Sequence, residues 1–430
     1  MIRKLKRTLR YFSEGRDGMA LMASTLAIFV VLILLATTIV PLMIGERRMA
    51  ANVVVESKAS HIAHTGLERA IQHYRRTRVP PQFSSVSHNT GTYIVRSDLL
   101  NDESGTPLSW CNYVMIRSRG RVGEKELIPE PPGQGNLKYK RWRIERNMRV
   151  ILSSFPHAFL FSFYSQNLDN GVLDVGGSTV NGSVYFRGNI DSSIPISQDV
   201  YTPGGFSAVT GSVTYHSDPQ PPFPYLDQTP YLTLLETASG YPSGDYVLET
   251  PKGKPVFLDL KTYADNTLYV NGKVKLTQVS VKGPGRIVAT DSVTIISTPF
   301  QNDIMVVSGN ATQIQSSLDM GSGVCVEEDG VIIYSGGELT VESSTVYGLG
   351  ISMGRLVMNS ANWTGAVLAL GGASPSAPNL VQGSTLVGSL VAKNNVDFSS
   401  STLVRGPLPL AEGKDIGLEP YVIPGSWLEY

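Results

Sequence analysis

The sequence predicts a mainly β protein behind one long N-terminal helix: a transmembrane α-helix, a small antiparallel β meander, then a right-handed parallel β-helix. Three observations predict it. Residues Met19–Ile44 form an uncharged apolar stretch, long enough to cross a hydrocarbon core as a helix. Between residues 91 and 152 lie three strand-like runs, the last of which alternates apolar and charged side chains as a half-buried strand does. From Gly177 onward a phrase of small residues ending in glycine returns several times, and its last four glycines are 17, 23 and 18 residues apart. Recurrence near that interval belongs to stacked coils.

The helix comes first. Arg3, Lys4, Lys6, Arg7, Arg10 and Arg16 precede or open it, against Glu14 and Asp17. That excess predicts a cytoplasmic N-terminus, with the other ~385 residues carried across the membrane. The stretch is too long for a removable secretory signal, and it lacks an Ala-x-Ala-like end. Beyond the membrane, Ala59, Ile62, Ala63, Gly66, Leu67, Ala70, Ile71 and Tyr74 keep a spacing of three and four. The helix is therefore expected to continue as an amphipathic rod until Val79-Pro80-Pro81 closes it. From Met19 to Arg78 it would reach roughly 90 Å.

A short basic leader ending in Gly18, then Met19-Ala20-Leu21 opening an apolar helix, resembles the class III leader of type IV pilins and pseudopilins. The wording His64-Thr65-Gly66-Leu67-Glu68 is similar to that of PilX-type minor pilins and of the large pseudopilin of type II secretion. The resemblance implies cleavage between Gly18 and Met19 by a prepilin peptidase, methylation of the new N-terminus, and packing of the helix into a filament core. It makes Pro41 the proline that bends or loosens the pilin helix. Most pilins place a glutamate five residues into the mature helix, where it pairs with a neighbour's amino terminus; here that position is Ala23. The pseudopilin that caps secretion pseudopili shows the same departure, so the resemblance implies a tip or initiation subunit. It also implies a single-pass protein of the bacterial inner membrane, its C-terminal domain periplasmic or extracellular on a pilus. The partners it implies are other pilins or pseudopilins, the peptidase, the inner-membrane assembly platform and membrane lipid.

The leader is thus expected at 1–18 and the helix at 19–78. Residues 79–154 read as the antiparallel unit, with strands near residues 91–96, 110–120 and 140–152 and a Pro/Gly-rich loop at 129–136. PilX-like proteins carry a meander here too. Ten basic residues fall between Arg117 and Arg149, against Glu124, Glu126, Glu130 and Glu145. They form either a polyanion-binding face, for DNA, acidic glycan or lipid headgroup, or the solvated side of a twisted sheet. Cys111 and Cys325 are the only cysteines and match no metal-ligand spacing. They either form one disulfide outside the membrane or stay as two buried thiols.

The β-helix is expected over residues 155–411. The phrase at 177–182 (GSTVNG) is echoed at 343–348, 360–365, 383–388 and, more loosely, 401–406. Alternate side chains should fill a narrow apolar interior, among them Val346, Leu368, Leu390 and Leu403, while Ser, Thr, Asn and Gly take the corners. Residues 267–411 hold 16 charged side chains in 145, a sparseness that suits such a stack. The pattern is similar to bactofilin-like polymer-forming domains. The Pro-rich insertion at 218–230 should be an external loop or a short spacer, and 231–236 should form a short helix. Residues 412–430, with Tyr421, Trp427 and Tyr430, should cap the last coil.

No motif calls for catalysis or a cofactor. Net charge is zero and the pI is near 7.0, so nothing global draws the chain to nucleic acid. A polysaccharide-cleaving β-helix needs several Asp or Glu on one coil face. The best trio, Glu327-Glu328-Asp329, runs into Gly330 as a turn does, and Asp319, Glu338 and Glu342 are scattered. His61, His64 and Glu68 stand at helical spacing, either a metal pair or a polar stripe, and no further ligand accompanies them. The expectation is a non-enzymatic minor-pilin-like or pseudopilin-like subunit displaying a β-helix. The alternatives are an uncleaved envelope protein that displays a glycan-binding β-helix and, behind it, a bactofilin-like scaffold or a polysaccharide-active enzyme.

Overall fold

Helix α1 (Arg16–Thr77) runs unbroken for 62 residues, about 93 Å at the helical rise. The computed structural model describes residues 16–77, 79–88, 91–99, 113–122, 127–128, 138–139, 144–166, 177–187, 190–191, 196–197, 200–201, 206–207, 215–216, 221–251, 254–317, 330–372, 378–406, 408 and 416–429. The apolar half of α1 packs against nothing among these residues: Leu26, Phe29 and Leu42 are 68, 63 and 66% exposed. Its hydroxyls turn back on the helix, Thr37 and Thr38 each donating to the Leu34 carbonyl at 2.9 Å, so the segment carries little unpaired polarity. Pro41 lies inside α1 and cannot donate to the carbonyl one turn back, yet helix continues on both sides of it. This is one helix long and apolar enough to cross a membrane.

The second half of α1 buries the stripe expected of it. Ala59, Ile62, Ala63, Leu67, Ala70, Ile71 and Tyr74 are each under 9% exposed and pack on Tyr93, Val95, Val114, Ile116, Val150 and Leu152. Those partners come from an antiparallel sheet of β1 (Phe83–His88), β2 (Gly91–Leu99), β3 (Tyr113–Val122) and β6 (Ile144–Ser153), in that order. The short strands β4 (Leu127–Ile128) and β5 (Lys138–Tyr139) pair with each other around the loop at 129–136, which lies outside the described residues. Helix and sheet meet closely because Gly120 has no side chain: a Cβ there would stand 2.1 Å from the Ala59 carbonyl oxygen.

The far edge of β6 is closed by the C-terminus. Tyr421–Val422 and Leu428–Glu429 both pair antiparallel with β6. The segment expected as a lid on the coils instead completes the meander, which removes an unpaired edge beside the helix.

Beyond Phe155 the chain forms a parallel β-solenoid of about 10 turns. The repeat is real and stacks in register. Thr345, Asn362, Thr385, Thr402 and Thr179 succeed one another on adjacent strands, as do Val346, Trp363, Leu386, Leu403 and Val180. Gly348, Gly365 and Gly388 form one column at φ between 134° and 145°, and a Cβ on Gly388 would lie 1.9 Å from the Gly365 oxygen. Small polar residues hold a corner: the Thr298, Ser344, Ser384 and Ser401 hydroxyls accept from the N–H groups of Val279, Ser317, Ala361 and Ser384.

The spatial order of coils differs from their order in sequence. The chain enters the stack in its middle at β7 (Phe163–Ser165), which lies between β9 (Val184–Phe186) and Thr385–Ala392. β8 (Thr179–Asn181) likewise stacks on Thr402–Val404. From β9 the chain winds outward through Val200–Tyr201 to Tyr215–His216 at one end. It re-enters at the other end, at Thr267–Val270, and winds back to meet β7. Ten strand spacings, ~48 Å, separate the two ends.

The Pro-rich insertion makes part of that crossing. Its described residues, 221–230, form no strand and lie outside the coils, against the solenoid wall: Leu226 is buried, and the Tyr164 hydroxyl donates to the Pro221 carbonyl at 2.7 Å. It leads into α2 (Thr229–Ser239), which is longer at both ends than the expected helix. Tyr231 stacks on Tyr334 at 4.2 Å and donates to the Ile416 carbonyl at 2.8 Å. The wall strands thus have two buried faces. Val346, Leu390 and Leu403 point into the coil interior as expected. Leu368 does not: it belongs to the outer cluster with Tyr231 and Leu418, and its neighbour Val367 fills the interior.

Candidate assembly helix and basic sheet face

Two features of the described residues suit binding: the naked half of α1 and the outer face of the meander. On α1, exposed apolar side chains continue past Ile44 to Met49, Val53 and Val54, which are 64, 63 and 53% exposed. Such a surface is stable only in lipid or against other apolar helices. Gly18 and Met19 fall in its first turn, and Ala23 is exposed one turn further on.

The meander's inner face is spent on α1. On the outer face β2 presents Arg96 and Asp98, β3 presents Arg117, Arg119 and Arg121, and β6 presents Glu145, Asn147 and Arg149. On this face a groove of about 340 Å³ is lined by Ile94, Arg96, Asp98, Arg117, Arg119 and Asn147 among others. Glu145 holds Arg121 at 3.0 Å and Arg119 at 3.8 Å, and Arg119 Nε donates to Asn147 Oδ1 at 3.0 Å. Asp98 stands 3.6 Å from Arg117. Arg146 faces the other way and pairs with Glu56 of α1 at 2.8 Å.

The remaining sequence candidates are not brought together. His64 pairs with Glu68 at 3.3 Å and stacks on Trp427 at 5.4 Å, while His61 is exposed. Among the described residues no group of three or more His, Cys, Asp or Glu could hold a metal. Cys111, Cys325 and the trio at 327–329 lie outside the described residues. Sequence reasoning missed the tail's role. Tyr421 stacks on His157 at 4.6 Å and 3°, Glu429 accepts from the Ser60 hydroxyl, and Ser426 Oγ accepts from the Ile151 N–H at 3.1 Å. Burial of the His157 imidazole holds its pKa below the usual value. The only signal in the sequence was an aromatic tail without a coil period.

No protein-family model matches the chain, and no curated protein does. Among solved structures it is similar to the competence-associated pilin ComZ from Thermus thermophilus, with 12% identity and a TM-score of 0.26 over 87% of this chain and 97% of that one. At that score the likeness establishes neither a shared fold nor a shared role.

Proposed function

We propose that this chain is a non-enzymatic, membrane-anchored subunit of a pilus-like or pseudopilus-like filament, with the meander and solenoid presented outside the membrane. The observation that carries the reading is α1 itself. One unbroken helix is naked and apolar for its first half and is the spine of a folded head for its second. That is what a subunit needs if it is stored in lipid and later packed among neighbouring helices. The basic leader supports a cytoplasmic N-terminus, and Gly18-Met19 supports cleavage by a prepilin peptidase. Ala23 supports a tip position. A subunit lacking an acid there leaves the ammonium of the subunit above unneutralised in an apolar core, at a cost of at least a few kcal/mol, and the tip subunit has no neighbour above it.

Mass spectrometry of the membrane-extracted protein is the test of processing: an N-methylated Met19 terminus is expected. An intact Met1 terminus in cells with an active prepilin peptidase overturns it. Immunogold labelling should place few copies at filament ends, and labelling along the whole shaft would overturn the tip assignment.

A further inference from the structure

We propose that one uncovered wall of the solenoid is a binding surface for an extended, neutral polysaccharide. The wall is a single sheet of eight parallel strands, stacked in chain order from Tyr246–Glu249 to Val396–Ser399. Its seven strand spacings make it ~34 Å long. The surface is independent of whether α1 enters a filament.

The wall beneath α2 and the tail has an apolar outer row because protein covers it. On the eight-stranded wall the inward positions fill the coil interior, and the outward ones are half-buried or exposed. Ten outward side chains lie on the five strands from Val293–Ile296 to Asn379–Gln382, and Glu342 is the only charged one. A surface met by water alone ordinarily carries charge at about a quarter to a third of its positions. Here two tracks of mostly neutral side chains stand in register instead. Gln315, Glu342, Asn359 and Gln382 follow one another on adjacent strands, and beside them run Gln313, Thr340, Val357 and Leu380. Among the described residues the side-chain amides of Gln313, Gln315 and Gln382 have no hydrogen-bond partner.

These side chains select the ligand. Each amide offers two donors and an acceptor, repeated at the ~4.8 Å strand spacing, which suits a polymer that presents hydroxyls on every unit. Val357 and Leu380, beside Asn359 and Gln382, give the C–H face of a sugar ring an apolar seat within the same two coils. Charge disfavours polyanions. Lys275 is the one cation among the outward residues of these strands, and Glu249 holds it at 2.7 Å. Glu342 and Asp397 have no ion pair among the described residues. A nucleic acid or acidic glycan would thus meet unpaired carboxylates and no free cation. A protein partner would find none of the aromatic and arginine anchors on which such interfaces depend.

The test is depletion of the full chain, in non-ionic polyoxyethylene-detergent micelles, by particles of cellulose, mannan and cross-linked dextran, with cross-linked polygalacturonate as the polyanion. Saturable binding to at least one neutral polymer is expected, undiminished by added salt and tighter than binding to polygalacturonate. The double variant Gln315→Ala, Gln382→Ala should weaken it about tenfold, the worth of two neutral hydrogen bonds, and Gln313→Ala should act in the same direction. Gln301→Ala removes an exposed amide on another wall and should bind as the parent does. All these side chains point to solvent, so the variants should melt with the parent, which separates lost binding from lost folding. No binding to any of the neutral polymers, tighter binding to polygalacturonate, or equal affinity in the parent and the face variants overturns the proposal. Self-association in sedimentation velocity that the same variants abolish also overturns it, by assigning the wall to a second copy.

Discussion

Leu390 sits at the seam where the first coils of the sequence dock on the last. It is fully buried, with Val367 beside it on one strand and Phe163 of β7 on the other. Truncation to alanine removes three buried carbons, about 2.4 kcal/mol at ~0.8 each, plus a cavity term, for roughly 2–5 kcal/mol in all. Leu390→Asp adds the burial of an unpaired carboxylate, so its cost should exceed ~4 kcal/mol. A domain is typically stable by only 5–15 kcal/mol. The seam should therefore open before the rest of the stack. Limited proteolysis with mapping of the cuts, beside a circular-dichroism melt, reads this out. Early cuts are expected in the coils around β7 and β9, with the coils between Thr267 and Ala369 cut later. Leu368→Asp is the control, since Leu368 lies in the outer cluster with Tyr231 and Leu418; it should free the crossover around α2 first. A melting temperature for Leu390→Asp within about 1 °C of the parent, well below the shift expected for 1 kcal/mol, refutes the reasoning. So do identical cutting patterns for the two variants.

Gly388→Ala should destabilise the solenoid by roughly 2 kcal/mol or more in urea unfolding, because the new Cβ meets the Gly365 carbonyl and φ is +145°. Trp427→Ala should loosen the tail by about 0.5–1.5 kcal/mol through loss of the stack on His64; faster hydrogen exchange at Ile423, whose N–H donates to the Ile151 carbonyl, is the measurement. Burial lowers the His157 pKa in the folded chain, so the unfolded chain binds a proton that the folded one refuses. That contribution to stability is present above ~6.5, the unfolded value, and is lost as pH falls toward the folded one. Melting of the parent should therefore drop between pH 7.5 and pH 5, and His157→Gln should show a shallower drop.

Much of this fold was legible in the residues, and its failures have physical causes. Five copies of the small-residue phrase stack in register because each pairs a glycine corner with one inward apolar residue, and both leave a mark on the sequence. Leu368 was misplaced because wall strands buried on both faces lose the alternation that tells inside from outside. Choosing the larger residue of each strand then works for Leu390 and fails for its neighbour coil, where Val367 is the inward one. The Pro-rich insertion reads as a loop in isolation, and only the apolar outer row on the solenoid gives it a surface to cover. The arginine face of the meander was visible as composition alone. Ten basic residues between Arg117 and Arg149 say nothing of which are opposed until strand register sets Arg96 and Arg149 on either side of Arg117.

The order in which coils meet also binds the parts of this chain to one another. The edge that β7 offers is satisfied by Thr385–Ala392, more than 200 residues later in the chain, and β6 has its outer edge closed only by the last residues. The crossover is held by that same tail: Asp227 donates its N–H to the Gly417 carbonyl at 2.7 Å, and Leu226 bridges Leu418. The tail in turn reaches α1 through Trp427 on His64 and Glu429 on Ser60. Such long-range closure is slow to form, because loop entropy is lost before the contacts are gained. Its return is cooperativity, since the coils around β7 are incomplete until Thr385–Ala392 arrives and the edge of β6 until residues 421–429 are in place. That arrangement makes a finished head and a docked tail at 416–429 the same event.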